Sequence, residues 1–313
     1  MRVLASVCLL ACSLYGQPGK LARPSMGFVF DQSTHTLRRI DGIPGAALVG
    51  SPVEFGFALS SAVVAPRLDS VFVLGANGAA HLFGLMADAP RELAVGALGT
   101  PTRVVYSPSG TAAALLSHDS VQLINGLPSA PVVAATIRLR DPSRSKVPRL
   151  FPDTVAVSDD GAYLLYGTGG SIELVGLAGD RRSVVSGVSG ALAAFAPVGH
   201  DTAAIVHDRQ LILSRNIGGA PAERFFDGIA APTGLAFSPA GQKLFVASAA
   251  NRAVTTIQVA TGDRSALPCD CAPSTLTPMG SLFRLNELGT EPLWLLDTAS
   301  DRPLVFVPAL AGN

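Results

Sequence analysis

Residues 233–265 read TGLAFSPAGQKLFVASAANRAVTTIQVATGDRS. Apolar Leu235 and Phe237 alternate with small residues up to a Ser-Pro-x-Gly turn at Ser238 to Gly241. Leu244 and Val246 resume the alternation, and after a polar gap a third alternating run extends from Val254 to Val259. Side chains that alternate with period two face opposite sides of a sheet, and Gly, Pro and Asn punctuate the chain where it turns. The stretch therefore predicts strands joined by short turns, and a restart at its end.

The same grammar recurs. YSPSG (106–110), VSDDG (157–161), FAPVG (195–199) and LTPMG (276–280) each sit between two short apolar runs, with weaker copies at VAPRL (64–68) and ARPSM (22–26). The residues in the Pro slot are 24, 66, 108, 159, 197, 239 and 278, spaced by 42, 42, 51, 38, 42 and 39. A second register runs seven residues upstream, in Pro101-Thr102, Pro152-Asp153 and Pro232-Thr233, while Pro273-Ser274 lies five before its turn. About four strands fit within each unit. Four-stranded units repeating at roughly 40 to 50 residues are the signature of a β-propeller. The expectation is an all-β, seven-bladed propeller of four-stranded antiparallel blades, occupying residues 17–313 as one domain. A pair of β-sandwiches would need a linker near the middle, and no composition shift marks one.

The segment ANRAVTTIQVATGD (250–263) resembles the bacterial YVTN-type propeller repeat, whose units carry a similar Asn, a valine-rich strand and a Thr-Gly turn. The resemblance is specific for residues 233–265; the Ser-Pro-x-Gly turn elsewhere is shared with many propellers, TolB-like ones included. The WD-repeat signature is absent, since the one Gly-His pair, Gly199-His200, has no Trp-Asp after it, and the chain holds one Trp. Quinoprotein and Asp-box propellers, with a Trp in most blades, are disfavoured for the same reason. The resemblance implies an exported binding or scaffold protein, with some enzymes in the class, and so does not settle function.

The chain is 48% apolar and 15% charged, against about 25% charged in an ordinary globular protein. Its net charge is zero, which lacks the electrostatic footprint of a nucleic-acid binder. Residues 1–16 carry one Arg, an apolar run from Val3 to Leu14 and a small Gly16, which reads as a signal peptide removed on export rather than a membrane span. A buried first strand is the competing reading of this run. LLAC (9–12) also resembles a lipoprotein cleavage box, with Cys12 unusually early for it. No other window approaches membrane-spanning length, so the mature chain is expected to be a periplasmic or extracellular monomer with no transmembrane segment.

The search for chemistry is mostly negative. No zinc-protease, nucleophile-elbow or phosphate-loop motif occurs, and His35, His81, His118, His200 and His207 have no metal-ligand spacing. No catalytic residue, metal or cofactor is implied. Asp159-Asp160 is read as a turn device, since Asp side chains bond nearby backbone amides, and GTGGS (167–171) as a hairpin loop. Cys269 and Cys271, in PCDC, form either a disulfide across one residue, favoured by an oxidising compartment, or two free thiols.

In a propeller the Ser-Pro-x-Gly turns lie on one face and the blade-to-blade connections lie on the other, around the channel mouth, where binding is usual. The longest connection, RLRDPSRSKVPR (138–149), gathers Arg138, Arg140, Arg144, Lys146 and Arg149 against one acid, Asp141, with Asp153 just beyond. These residues are the candidate site for a protein or an anionic envelope component; a solvated loop is the plainer reading. A non-catalytic binding or scaffold module is favoured over a lactonase-type hydrolase. A hydrolase would need acids, histidines or arginines to converge at first-strand starts, where Thr102, Asp153, Thr233 and Ser274 stand.

Overall fold

The computed structural model describes residues 24–86, 89–139, 154–168, 170–188 and 190–309. Its repeating unit starts from the turn. In blades 3, 4 and 6 the leading serine (Ser107, Ser158, Ser238) accepts a backbone hydrogen bond through its hydroxyl from the residue five positions on, at 3.0 to 3.1 Å. Its carbonyl accepts the N–H of the turn glycine three positions on, at 2.8 to 2.9 Å. That glycine sits at positive φ, +69° at Gly241, a backbone region costly for other residues. Blade 2 places Leu68 at φ 63° in the same slot, which is why the sequence copy there looks weak.

These turns join strands into seven antiparallel sheets. Blade 1 holds β1 (Ser25–Asp31), β2 (Thr36–Ile43) and β3 (Ala46–Pro52), and blade 2 holds β4 (Leu59–Val64), β5 (Ser70–Gly75), β6 (Ala80–Gly84) and β7 (Arg91–Glu92). Blade 3 is β8 (Arg103–Tyr106), β9 (Ala112–Leu116), β10 (Ser120–Asn125) and β11 (Val132–Arg138). Blade 4 is β12 (Thr154–Val157), β13 (Tyr163–Thr168), β14 (Ser171–Gly176) and β15 (Arg181–Ser186). Blade 5 is β16 (Leu192–Phe195), β17 (Thr202–His207), β18 (Gln210–Arg215) and β19 (Ala222–Asp227). Blade 6 is β20 (Pro232–Phe237), β21 (Lys243–Ser248), β22 (Ala253–Gln258) and β23 (Arg264–Pro268), and blade 7 is β24 (Thr277–Met279), β25 (Leu282–Arg284), β26 (Leu293–Asp297) and β27 (Leu304–Val307). The chain is an all-β, seven-bladed propeller, and among the described residues no helix is long and apolar enough to cross a membrane. The signal-peptide and lipoprotein readings of residues 1–16 lie outside the described residues.

Blade faces pack on one another. Between blades 4 and 5, Leu165, Ile172 and Leu174 meet Phe195, Ala203 and Ile205; between 5 and 6, Val206, Leu211 and Leu213 meet Phe237, Leu244 and Val246. Each such fully buried aliphatic or aromatic side chain contributes about 1.5 to 3 kcal/mol. Second strands such as β5 and β9 are buried along their whole length, which explains their uninterrupted apolar runs.

Ring closure follows from strand direction. The first residues of β1 lie at the turn face, since a methyl group on Gly27 would stand 2.5 Å from Met279 Cγ and 3.5 Å from Leu68 Cδ2. First strands run towards that face and second strands run away from it. Strands β1 to β3 therefore fill the second, third and fourth positions of blade 1, and no described strand fills its innermost position. The inner turns of blades 7 and 2 instead meet directly, Gly280 N–H donating to Pro66 O at 2.7 Å. Blade 7 is completed by its own β27, and blades 7 and 1 close the ring by packing Leu282, Leu293, Leu295 and Val307 against Met26, Val29 and Ile40. In blade 7, Pro278 lies inside β24 rather than in the turn, which begins at Gly280.

Candidate functional site

The inner strands β4, β8, β12, β16, β20 and β24 surround a cavity of about 660 Å³. Its walls are apolar: Val63 and Val64, Val104 and Val105, Val155 to Val157, Ala193 to Phe195, Leu235 to Phe237, and Leu276 with Phe283. One rim is a set of prolines: Pro66, Pro108, Pro197 and Pro239 from the repeated turns, with Pro278 from β24. The turn that marks the repeat in the sequence thus also builds one end of the channel. Among the lining residues the cationic side chains are Arg67 and Arg103, and no carboxylate or histidine is present. Arg67 donates from Nε to Asp69 at 3.0 Å and from Nη2 to Leu127 O at 3.2 Å. Arg103 opens β8 at the connection end of the channel and is exposed. Tyr106 packs its ring 5.5 Å from Phe72 of blade 2, and burial, with Asp69 nearby, pushes its phenol well above the ordinary range.

Blade 4 places Asp159 where the other turns carry proline, and the substitution ties three blades together. Its carboxylate accepts Ser109 N–H of blade 3 at 2.8 Å and Val198 N–H of blade 5 at 2.7 Å. Its carbonyl accepts the Thr111 hydroxyl at 2.6 Å. Asp160 is the local device: it accepts from Ser158 Oγ at 2.7 Å and Ala162 N–H at 3.0 Å, and pairs with His200, whose ring packs edge-on against Tyr163 at 4.9 Å. Burial acts to raise the Asp160 carboxyl, but its bonds to His200, Ser158 and Ala162 outweigh it and lower it. The turn reading of the acid pair stands, with a reach across blades that sequence spacing does not convey.

The upstream register has a physical reason too. Thr233, next after Pro232, donates its hydroxyl to Pro273 O of the following blade connection at 2.7 Å. In blade 4 the same bond is made by Thr154, to Ala191 O, one residue beyond the expected slot. Thr102 turns instead to Leu116 O of its own blade at 3.3 Å. These threonines are interblade or intrablade ties rather than ligand-facing groups.

Of the predicted basic connection, Arg138 is described. It is exposed at the end of the outer strand β11, away from the channel wall, and its carbonyl accepts from Arg181 Nη2 at 2.6 Å. Arg140, Arg144, Lys146, Arg149 and Asp153 lie outside the described residues. His81, His118 and His207 pair with Glu92, Asp119 and Asp208 at 2.7, 2.7 and 3.4 Å, and no three metal-ligating side chains cluster among the described residues. The sulfurs of Cys269 and Cys271 are joined across Asp270, with both cysteines buried between blades 6 and 7. A thiol count after denaturation without reductant is expected to find neither of them free; two reactive thiols there would contradict the bond.

No protein-family model matches the chain, and no curated protein matches it in sequence. Solved structures do match. Apo AztD from Citrobacter koseri superposes with a TM-score of 0.61 at 12% identity, covering 91% of this chain and 96% of that one. A protein of unknown function from Desulfotomaculum acetoxidans gives 0.58 at 10% identity over 91% and 99%. A candidate 6-phosphogluconolactonase from Bacteroides uniformis gives 0.57 at 13% over 91% and 96%. At these identities the likeness is one of fold.

Proposed function

We propose that the chain is an exported, non-catalytic propeller of YVTN-type repeats that acts as a monomeric binding module through its channel and the channel mouth. The observation that carries this reading is the composition of the channel wall. Opening a lactone or ester requires a positioned base or an activated water, and the described lining offers neither carboxylate nor imidazole. The YVTN reading rests on residues 250–263, and export on the apolar run of residues 3–14. The exposed Arg138 supports a secondary contact with a protein or anionic envelope component along the basic connection that it begins.

The decisive assay is 6-phosphogluconolactone hydrolysis, the activity suggested for the Bacteroides neighbour. Purified protein is expected to leave the spontaneous rate unchanged. Enzyme-concentration-dependent turnover would replace binding by the lactonase reading. Intact mass of the protein from its native host is expected to lack residues 1–16; a cytoplasmic species that retains them would remove the export part alone.

A further inference from the structure

We propose that the innermost position of blade 1 is a strand-acceptor site for a partner protein, filled by an extended segment with an apolar face towards blade 2 and a carboxylate on the face towards Arg284 of blade 7. The proposal rests on the reading of the chain as a binding module and adds the kind of partner. Three observations support it.

The first is an unpaired edge. In blades 2 to 7 the second strand has an inner neighbour, whereas β1 pairs with β2 alone. Val53 N–H donates to Leu37 O at 2.7 Å, so Leu37 turns its backbone groups to β3, and its cross-strand partner Phe30 turns its own away from β2. Phe28, two residues earlier, does the same. No described residue bonds the N–H or C=O of either on that side. A free edge of this kind is a template for another strand, and main-chain bonding to it is a recurrent mode of peptide recognition.

The second is a buried cation that faces this position. Leu282 packs towards blade 1 and Phe283 towards blade 6, so by alternation Arg284 faces blade 1. Its register equivalents on the second strands of blades 2 to 6 are Phe72, Ala114, Leu165, Ala204 and Phe245. Each of those is a buried apolar side chain packed against the following blade. The Arg284 side chain is only 15% exposed; its Nη2 donates to Glu287 at 2.8 Å, and its buried Nε has no partner among the described residues. A buried guanidinium with an open donor is costly until an acceptor meets it, and a carboxylate meets it best. On the opposite side, Ala62 and Val64 of β4 group with Phe28 and Phe30 and supply an apolar wall.

The third is the chain's own sequence. The inner strands of blades 2 and 6, residues 59–64 and 232–237, begin eleven residues before the second strand and end six before it, at Ser70 and Lys243. Counted back from Ser25, the same offset falls on residues 14–19, LYGQPG, whose two glycines and one proline disfavour a strand. A segment from another protein suits the position better.

The test uses the mature full chain and a fluorescein-labelled peptide, Val-Thr-Val-Glu-Val-Thr-Val, whose valines share one face of a strand and whose glutamate lies on the other. Fluorescence anisotropy is expected to show saturable binding, weakened about fivefold when glutamine replaces the glutamate and a charge-assisted bond is lost. N-methylation of one alternate set of peptide amides is expected to abolish binding and of the other set to leave it, because one edge of the added strand meets β1. Bound peptide is expected to slow amide exchange at Phe28 and Phe30 by about tenfold or more. Arg284→Met is expected to keep the circular dichroism of the wild type and to bind both peptides alike; if it does not fold, the two peptides on the wild type carry the comparison. Absence of saturable binding, or binding without protection of Phe28 and Phe30, overturns the proposal. Equal affinity of the two peptides for the wild type overturns its acidic part. Phe28 and Phe30 amides already protected in the free chain overturn it in favour of a segment of the chain itself, or of a second copy where that protection rises with protein concentration. Lactone hydrolysis with peptide binding intact overturns the non-catalytic reading alone, and failure of the peptide without hydrolysis overturns this inference alone.

Discussion

Asp159→Ala is expected to lower the stability of the folded chain by about 3 kcal/mol, because hydrogen bonds to a charged acceptor contribute roughly 1.5 to 3 kcal/mol each. Two are lost, one from blade 3 and one from blade 5, and among the described residues the Ser109 and Val198 amides have no second acceptor. A loss of this size should move the melting temperature down by about 5 °C, with an unfolding entropy of roughly 2.1 cal/mol/K per residue. Asp159→Asn keeps one carbonyl acceptor and should fall about halfway. Asp160→Ala is the comparison that isolates the cause. Its partners are a hydroxyl and an amide within its own turn and the half-exposed His200 of blade 5, so its effect should be clearly smaller. Equal melting temperatures for Asp159→Ala and wild type would show that the three blades are not held through this carboxylate.

The second large effect is placed on blade 1. Asp31 is almost fully buried and accepts from Ser33 N–H at 3.0 Å, Ser33 Oγ at 2.6 Å, Thr34 N–H at 3.3 Å and Arg38 Nε at 2.9 Å. Asp31→Ala leaves the largely buried Arg38 without its carboxylate, a change that typically costs about 3 to 5 kcal/mol. Because β1 and β2 also form the closing seam with blade 7, the loss should appear as opening of the ring, readable as hydrogen exchange in β1, β2 and β26 before the remaining blades.

The same carboxylate gives a pH dependence with a definite sign. Burial acts to raise the Asp31 carboxyl, but hydrogen bonds from Ser33, Thr34 and Arg38 outweigh it and hold it well below the usual carboxylate range. A depressed folded value means that its contribution is complete above the unfolded value of about 4 and is lost as pH falls below it. Urea midpoints for the wild type should therefore decline below about pH 4, and Asp31→Asn should lack that part of the decline. A variant whose midpoints fall in parallel with wild type would assign the acid sensitivity elsewhere.

What the sequence disclosed and what it withheld have the same origin. Turn chemistry is local: Ser238, Pro239 and Gly241 act within six residues, so their recurrence revealed the blade count and most strand boundaries directly. Blade 7 departed because the inner strand continues through Pro278, which needs no amide of its own at the channel edge. The role of Asp159 joins residues 39 and 50 positions apart, and no local period records that. The channel wall was likewise hidden. Residues such as Val104, Ala156 and Ala194 read as ordinary strand positions until six blades bring their edges together. A usable signal existed, since these are the residues leading into each turn, and they contain no acid and no histidine in any blade. The basic connection stood out in the sequence because charge is rare in this chain, yet its described member, Arg138, is on an outer strand rather than at the channel.

The most direct test of the channel as the working site is photo-crosslinking with an uncharged alkyl probe that carries a diazirine, followed by peptide mapping. The account predicts labelled residues on the inner strands β8, β12, β16, β20 and β24 and in the proline-bearing turns, with labelling that saturates as the probe concentration rises. Labelling confined to outer strands such as β11, β19 and β27, or rising without saturation, would contradict it.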